Sequence, residues 1–201
     1  MQAVIQQILK RVRAKGNGYA FTPKDFLDLG NRAAVDQALS RLARDGKIRR
    51  IRRGLYDFPR VSPRFGILSP VPHKIAQAMA RNTGSRLLPS GAQAANALGL
   101  STHVPARLVY LTDGPSRDVV IGRQTIQLRH AASKYFSGNR GADIAVQALR
   151  HLGRNVVDAT GIQKIRMVLS DNDKRALWNA IGRLPGWMPP HIKQIAAPTP
   201  A

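Results

Sequence analysis

Val35, Ala38, Leu39 and Leu42 recur at the i, i+3, i+4, i+7 spacing of one helix face, and Gly46 ends that helix just before a β-hairpin pattern. Asn31 is placed to cap the helix, which runs from Arg32 to Asp45. After Gly46 the chain reads Lys47-Ile48-Arg49-Arg50-Ile51-Arg52-Arg53-Gly54-Leu55-Tyr56-Asp57-Phe58. β-branched residues lead in, Arg53-Gly54 supplies a tight turn, and Leu55, Tyr56 and Phe58 lead out.

The face opposite the stripe holds Ala33, Gln37, Ser40 and Arg44, flanked by Asp36 and Arg41. Short, polar, hydrogen-bonding side chains on a helix suit base edges in a major groove. Five of the seven residues from Lys47 to Arg53 are basic. Such a strip repels itself unless anions lie against it, and beside a DNA backbone each cation that neutralises a phosphate releases a counterion. The expected contacts are therefore Lys47, Arg49, Arg50, Arg52 and Arg53 to phosphates, with one wing arginine reaching the minor groove. Arg32, Gln37, Ser40, Arg41 and Arg44 are the candidates for base edges or adjacent phosphates.

Two elements precede this helix. Val4, Ile5, Ile8, Leu9 and Val12 predict a helix over about 2–15, closed by Gly16-Asn17-Gly18. Tyr19-Ala20-Phe21 reads as extended. Thr22-Pro23-Lys24-Asp25 then has the chemistry of a helix start, with Phe26, Leu27 and Leu29 on the helix and Gly30 as its stop. Three helices followed by a basic hairpin is the order of a winged helix-turn-helix, expected over residues 1–60, with double-stranded DNA as the partner.

Composition supports a polyanion partner. The 201 residues include 32 Lys plus Arg against 11 acids, all of them Asp, for a net charge of +21. An anionic membrane surface is the second polyanion to weigh, but no stretch approaches the ~20 apolar residues of a span, and no membrane partner is expected. With no cysteine, disulfides, thiolate metal sites and cysteine nucleophiles are excluded. The N-terminus carries no apolar run before a small-residue cleavage site, so a cytoplasmic location is expected.

Pro59, Pro63, Pro70 and Pro72 mark residues 61–72 as a proline-rich linker. A mixed α/β domain is expected over 73–190 and a loose tail over 191–201, for an α+β chain overall. The sequence predicts helices at about 73–82, 91–98, 142–152, 158–169 and 171–184. Strands are expected at 86–88 and 107–111, and as a hairpin at 118–121 and 125–128. Charge stays positive past the linker, with 18 basic and 6 acidic residues in 61–201.

No catalytic constellation emerges. His73, His103, His130, His151 and His191 are scattered without metal-ligand spacing. Gly84-Ser85 matches the opening of a nucleotidyltransferase motif, but that chemistry needs an Asp-x-Asp shortly downstream to hold Mg²⁺. Asp171-Asn172-Asp173 lies far along the chain and reads as a helix start. Phosphate-binding and dinucleotide glycine loops are absent. Neither an enzyme, a cofactor nor a metal is expected.

Several segments carry a family resemblance. They are Arg32-Ala33-Ala34-Val35-Asp36-Gln37-Ala38-Leu39-Ser40-Arg41-Leu42, Gly46-Lys47-Ile48-Arg49-Arg50 and Arg53-Gly54-Leu55-Tyr56-Asp57. A more particular run follows: Pro89-Ser90-Gly91-Ala92, Ala95-Asn96-Ala97-Leu98-Gly99-Leu100-Ser101-Thr102, Val104-Pro105-Ala106 and Tyr110-Leu111-Thr112-Asp113-Gly114-Pro115-Ser116-Arg117. The chain resembles the AbiEi-type antitoxins of abortive-infection (type IV) toxin–antitoxin systems. That resemblance implies a winged helix that represses its own operon from inverted repeats. It also implies a C-terminal domain that counteracts a nucleotidyltransferase toxin without a stable complex. Short second domain and proline-rich end depart from the family pattern. The alternative is a winged-helix transcriptional regulator with a ligand-sensing or dimerising C-terminal domain.

Overall fold

The computed structural model describes residues 2–102, 107–122, 124–132, 135–154 and 157–197. His103, the Val104-Pro105-Ala106 segment of the resemblance, Arg123 of the second hairpin and the last four residues lie outside them. The fold is mixed α+β and divides into two compact units. One comprises 1–86 with 119–126, the other 87–118 with 127–201.

The first unit begins with α1 (Gln2–Lys15), β1 (Ala20–Phe21), a 3-10 turn (Pro23–Phe26), α2 (Arg32–Arg44), β2 (Arg49–Arg52) and β3 (Leu55–Asp57). The strands form one antiparallel sheet of order β1-β3-β2, with Phe21 opposite Tyr56 and Arg50 opposite Tyr56. Ile8, Val12, Phe21, Phe26, Val35, Ala38, Leu39, Leu42 and Ile48 form a shared core, so the α2 stripe is buried as its spacing predicts. Phe21 meets Phe26 edge-on at 5.3 Å and stacks on Tyr56 at 6.1 Å, which joins sheet and helices through aromatic contacts.

The expected second helix is only that single 3-10 turn. Its start is as predicted, since the Asp25 carboxylate accepts from the Thr22 amide at 2.8 Å. Its continuation fails because Leu27 is exposed and Gly30 comes three residues later, so beyond Phe26 only the half-buried Leu29 meets the core. Arg11 holds the segment instead, donating to the Asp25 carbonyl at 3.2 Å and to both Asp28 oxygens at 2.8 and 2.6 Å.

The proline-rich segment is not a plain linker. It contains a second, two-stranded hairpin of β4 (Val61–Ser62) and β5 (Gly66–Ile67), and leads into α3 (Pro72–Thr83). The first unit therefore extends to Arg86 rather than ending near residue 60. Arg81 of α3 donates to the Ala20 carbonyl at 2.7 Å and to Asp25 at 3.1 Å, and its guanidinium lies 5.3 Å from the centre of the Tyr19 ring. Lys24 reaches the Asn82 carbonyl at 3.1 Å. Prolines interrupt local hydrogen bonding, but they say nothing about whether the next helix packs back.

The second unit contains β6 (Leu87–Pro89), α4 (Gly91–Ala97) and β7 (Leu108–Thr112). A hairpin of β8 (Arg117–Ile121) and β9 (Gln124–His130) follows, in a sheet of order β6-β7-β9-β8; its end, 119–126, groups with the first unit. Then come α5 (Arg140–Leu152), α6 (Ala159–Val168), α7 (Asp171–Asn179), a 3-10 turn (Ile181–Arg183) and α8 (Met188–Ala196). Ala94, Ala145, Leu149, Ile165, Leu177, Met188, Ile192 and Ile195 are among its core residues. The expected loose tail from 191 is corrected, because α8 stays helical to Ala196. Met188, Ile192 and Ile195 form a buried i, i+4, i+7 stripe, and the prolines occupy the first turn, where the missing N–H costs nothing. No helix among the described residues is long and apolar enough to cross a membrane.

Candidate nucleic-acid interface

Asn31 starts α2 by accepting from the Ala34 amide at 2.9 Å. That cap sets the helix phase, and the buried stripe turns the opposite face outward. Arg32, Gln37, Ser40, Arg41 and Arg44 are all exposed there, together with Ala33. Arg32 also pairs with Asp36 at 2.8 Å, an exposed i,i+4 contact that is weak and readily exchanged for another anion. The chain leaves α2 through Gly46, whose φ of 67° is the left-handed conformation a helix stop needs, and the Lys47 amide donates back to Leu42 at 2.9 Å.

The hairpin after it separates its arginines by strand alternation. Arg50 and Arg52 are exposed, whereas Arg49 and Ile51 are half-buried. Lys47 and Arg53 are exposed as well, with Gly54 turning the chain at a φ of 74°. The pairing register shifts between Arg50 and Arg52, an irregularity that twists the ribbon.

Arg49 departs from the expected phosphate contacts. Its Nε and Nη2 donate to Asp57 Oδ1 and Oδ2 at 2.9 and 2.6 Å, and its Nη1 donates to the Leu68 carbonyl at 2.8 Å. Asp57 is 1% exposed. Arg49 is thus committed to neutralising a buried carboxylate and to tying β2 to the segment after β5. The other nine predicted residues remain on the surface of the first unit.

A feature that sequence reasoning missed is the β4–β5 hairpin. Val61, Phe65 and Ile67 are 66, 70 and 66% exposed, alongside the exposed Arg60 and Arg64. The signal was present, since Val61 and Ile67 flank a Ser-Pro-Arg-Phe-Gly turn. The surrounding prolines masked it.

In the second unit a cleft of about 400 Å³ is lined by Tyr135, Ser137, Asp143, Arg150, Arg183 and Leu184 among others. Its buried Asp143 carboxylate accepts from the Ser137 amide at 2.9 and 3.1 Å, and Arg150 stacks on the Tyr135 ring at 4.5 Å. Asp173 serves a helix start, accepting from the Ser170 hydroxyl at 2.6 Å and the Ser170 amide at 3.0 Å. Asp171 points to solvent and pairs with Lys174 at 3.5 Å. Gly84 ends α3 at a φ of 68°, and the Ser85 hydroxyl is 2.7 Å from that of Thr83. These residues terminate and start helices. No cluster of three His, Asp or Glu side chains suited to a metal occurs among the described residues.

Residues 7–177 match a family of unknown function, DUF6088. The chain belongs to the DUF6088 family. A crystal structure of the RV2827C protein from Mycobacterium tuberculosis is similar to this DUF6088 chain at a TM-score of 0.45 and 14% identity, over 98% of this chain and 80% of that one. A comparison with curated proteins found no match.

Proposed function

We propose that residues 1–60 form a winged helix-turn-helix that binds double-stranded DNA, with α2 as the recognition helix and the β2–β3 hairpin as the wing. The observation that carries this reading is the sorting of side chains on one continuous segment. Val35, Ala38, Leu39 and Leu42 are buried, while Gln37, Ser40, Arg41, Arg44, Lys47, Arg50, Arg52 and Arg53 all face solvent. The exposed polar helix face supplies groups for base edges, and the arginines of the wing supply phosphate contacts. The 3-10 turn at Pro23–Phe26 stands where a longer first helix of the motif is usual, braced by Arg11.

The resemblance to AbiEi-type antitoxins gives this binding a purpose. In that reading the chain represses its own operon from inverted repeats and opposes a nucleotidyltransferase toxin encoded alongside, without a stable complex. Footprinting on the DNA upstream of its own gene, at two salt concentrations, tests the DNA half. A protected inverted repeat with strongly salt-dependent affinity is the expected result, and no protection at either salt overturns it. Co-expression of the full chain with the neighbouring toxin tests the other half. Unrelieved toxicity excludes the antitoxin role while leaving DNA binding standing.

A further inference from the structure

We propose that the β4–β5 hairpin is a second DNA-contacting ribbon, whose tip residue Phe65 wedges between base pairs from the minor groove and bends the duplex. This rests on the duplex-DNA reading above and adds to it a deformation that the wing does not supply. Three large apolar side chains exposed within seven residues are costly in water unless something covers them. Val61 and Ile67 are directly paired across the two strands, and Phe65 stands at the turn.

The ribbon is built to hold that tip in place. The Ser62 hydroxyl accepts from the amides of Arg64 and Phe65, both at 3.3 Å, which fixes the turn. The Leu68 amide donates to the Arg60 carbonyl at 2.9 Å and closes the base. The Arg49 bond to the Leu68 carbonyl then ties the base to β2, so this ribbon is mechanically continuous with the proposed wing. Gly18 leaves room for the base to pack, since a Cβ there would lie 3.2 Å from Val71 and 3.3 Å from the Arg60 side chain.

Charge decides the occupant. From Phe58 to Val71 there is no acidic residue, and Arg60 and Arg64 flank the apolar tip. The Arg64 guanidinium lies 5.3 Å from the centre of the Phe65 ring, placing a cation beside the wedge. A second copy of the chain, at +21, would bring like charges together at this ribbon. A minor groove offers an anionic rim and an apolar, separable base stack, and apolar side chains on basic proteins are known to insert there and kink the duplex.

The test uses the full chain with duplexes that it selects from a random pool. Bending is read by energy transfer between end labels, and unstacking by 2-aminopurine fluorescence at successive steps. Wild type should bend the duplex and raise the fluorescence at one step. Phe65→Ala should remain bound yet lose both signals, and Phe65→Leu should restore them in part. Because Phe65 is exposed, its truncation removes no core contact. A Phe65→Ala complex bent like wild type overturns the wedge and leaves the wing reading intact, whereas selection of no duplex by wild type overturns both. Loss of self-association without DNA, or of binding to phosphatidylglycerol vesicles with bending unchanged, would reassign the ribbon to a second copy or a membrane surface and overturn the proposal.

Discussion

Arg49 holds the buried carboxylate of Asp57 with two hydrogen bonds, Nε to Oδ1 at 2.9 Å and Nη2 to Oδ2 at 2.6 Å. Asp57 ends β3 at 1% exposure, opposite both Arg49 and Ala20 in the sheet. An arginine that reads as one more wing cation is therefore part of the fold. Arg49→Ala leaves a buried charge unpaired and is expected to cost on the order of 3 kcal/mol of stability. Urea denaturation measures this directly, with Arg52→Ala as the comparison, expected within about 0.5 kcal/mol of wild type. Equal stabilities for the two variants would contradict the assignment.

Under the proposed duplex-binding reading, the same division sets the expected salt dependence of affinity. Each phosphate contact contributes about 0.9 to the slope of log affinity against log salt. Replacing both Arg52 and Arg53 by Ala should flatten the slope by roughly 1.8 and weaken all sequences alike. Arg49→Ala, measured where the variant is folded, should leave the slope unchanged, because that guanidinium already faces Asp57 and Leu68. An unchanged slope in the double variant would remove the wing from the interface.

Gly141 and Asp173 provide a test within the second unit. A Cβ at Gly141 would stand 2.3 Å from Asp173 Cγ and 2.5 and 2.6 Å from its oxygens, so any larger residue here must displace the Asp173 carboxylate from its bonds to Ser170. Gly141→Ala should destabilise by about 1–3 kcal/mol through overpacking. Asp173→Ala removes a capping group and should cost about 1 kcal/mol. Combined, the two should cost less than their sum, because removing the carboxylate makes room for the methyl group. Strict additivity in a thermal-unfolding cycle would show that the two sites do not press on each other.

Acid stability follows from the same carboxylate. Hydrogen bonding, first from the Ser170 hydroxyl, holds the Asp173 carboxyl below the usual aspartate range. Arg11 does the same for Asp28 and Arg129 for Asp118. A folded pKa below the unfolded value of about 3.9 stabilises the protein fully above that pH. The contribution is lost as the pH falls through the folded value. The melting temperature should therefore drop between about pH 5 and pH 2.5, and Asp173→Asn should drop less over that interval. Parallel curves for the two proteins would exclude a contribution from Asp173.

Much of the first unit was legible because its signals are local. The α2 stripe, the Asn31 cap, the Gly46 stop and the Arg53-Gly54 turn each depend on residues within a few positions of one another, and all lie where their spacing places them. The Pro23 segment was overextended because a good helix start does not guarantee a face to bury. The β4–β5 hairpin was hidden because prolines near a strand read as interruption, although none lies within these two strands.

By itself, then, the sequence determined α1, α2, the β2–β3 hairpin and which face of α2 turns outward, since periodicity and capping are properties of neighbouring residues. Only the tertiary structure decided that Arg49 belongs to Asp57 and Leu68, that α3 joins the first unit, and that α8 closes the second core. Those outcomes depend on partners 8 residues away for Asp57, 19 for Leu68 and 61 for the Ala20 carbonyl that receives Arg81. A guanidinium looks the same in sequence whether it meets a buried carboxylate or open solvent. Burial, set by the packing of distant segments, fixes its role.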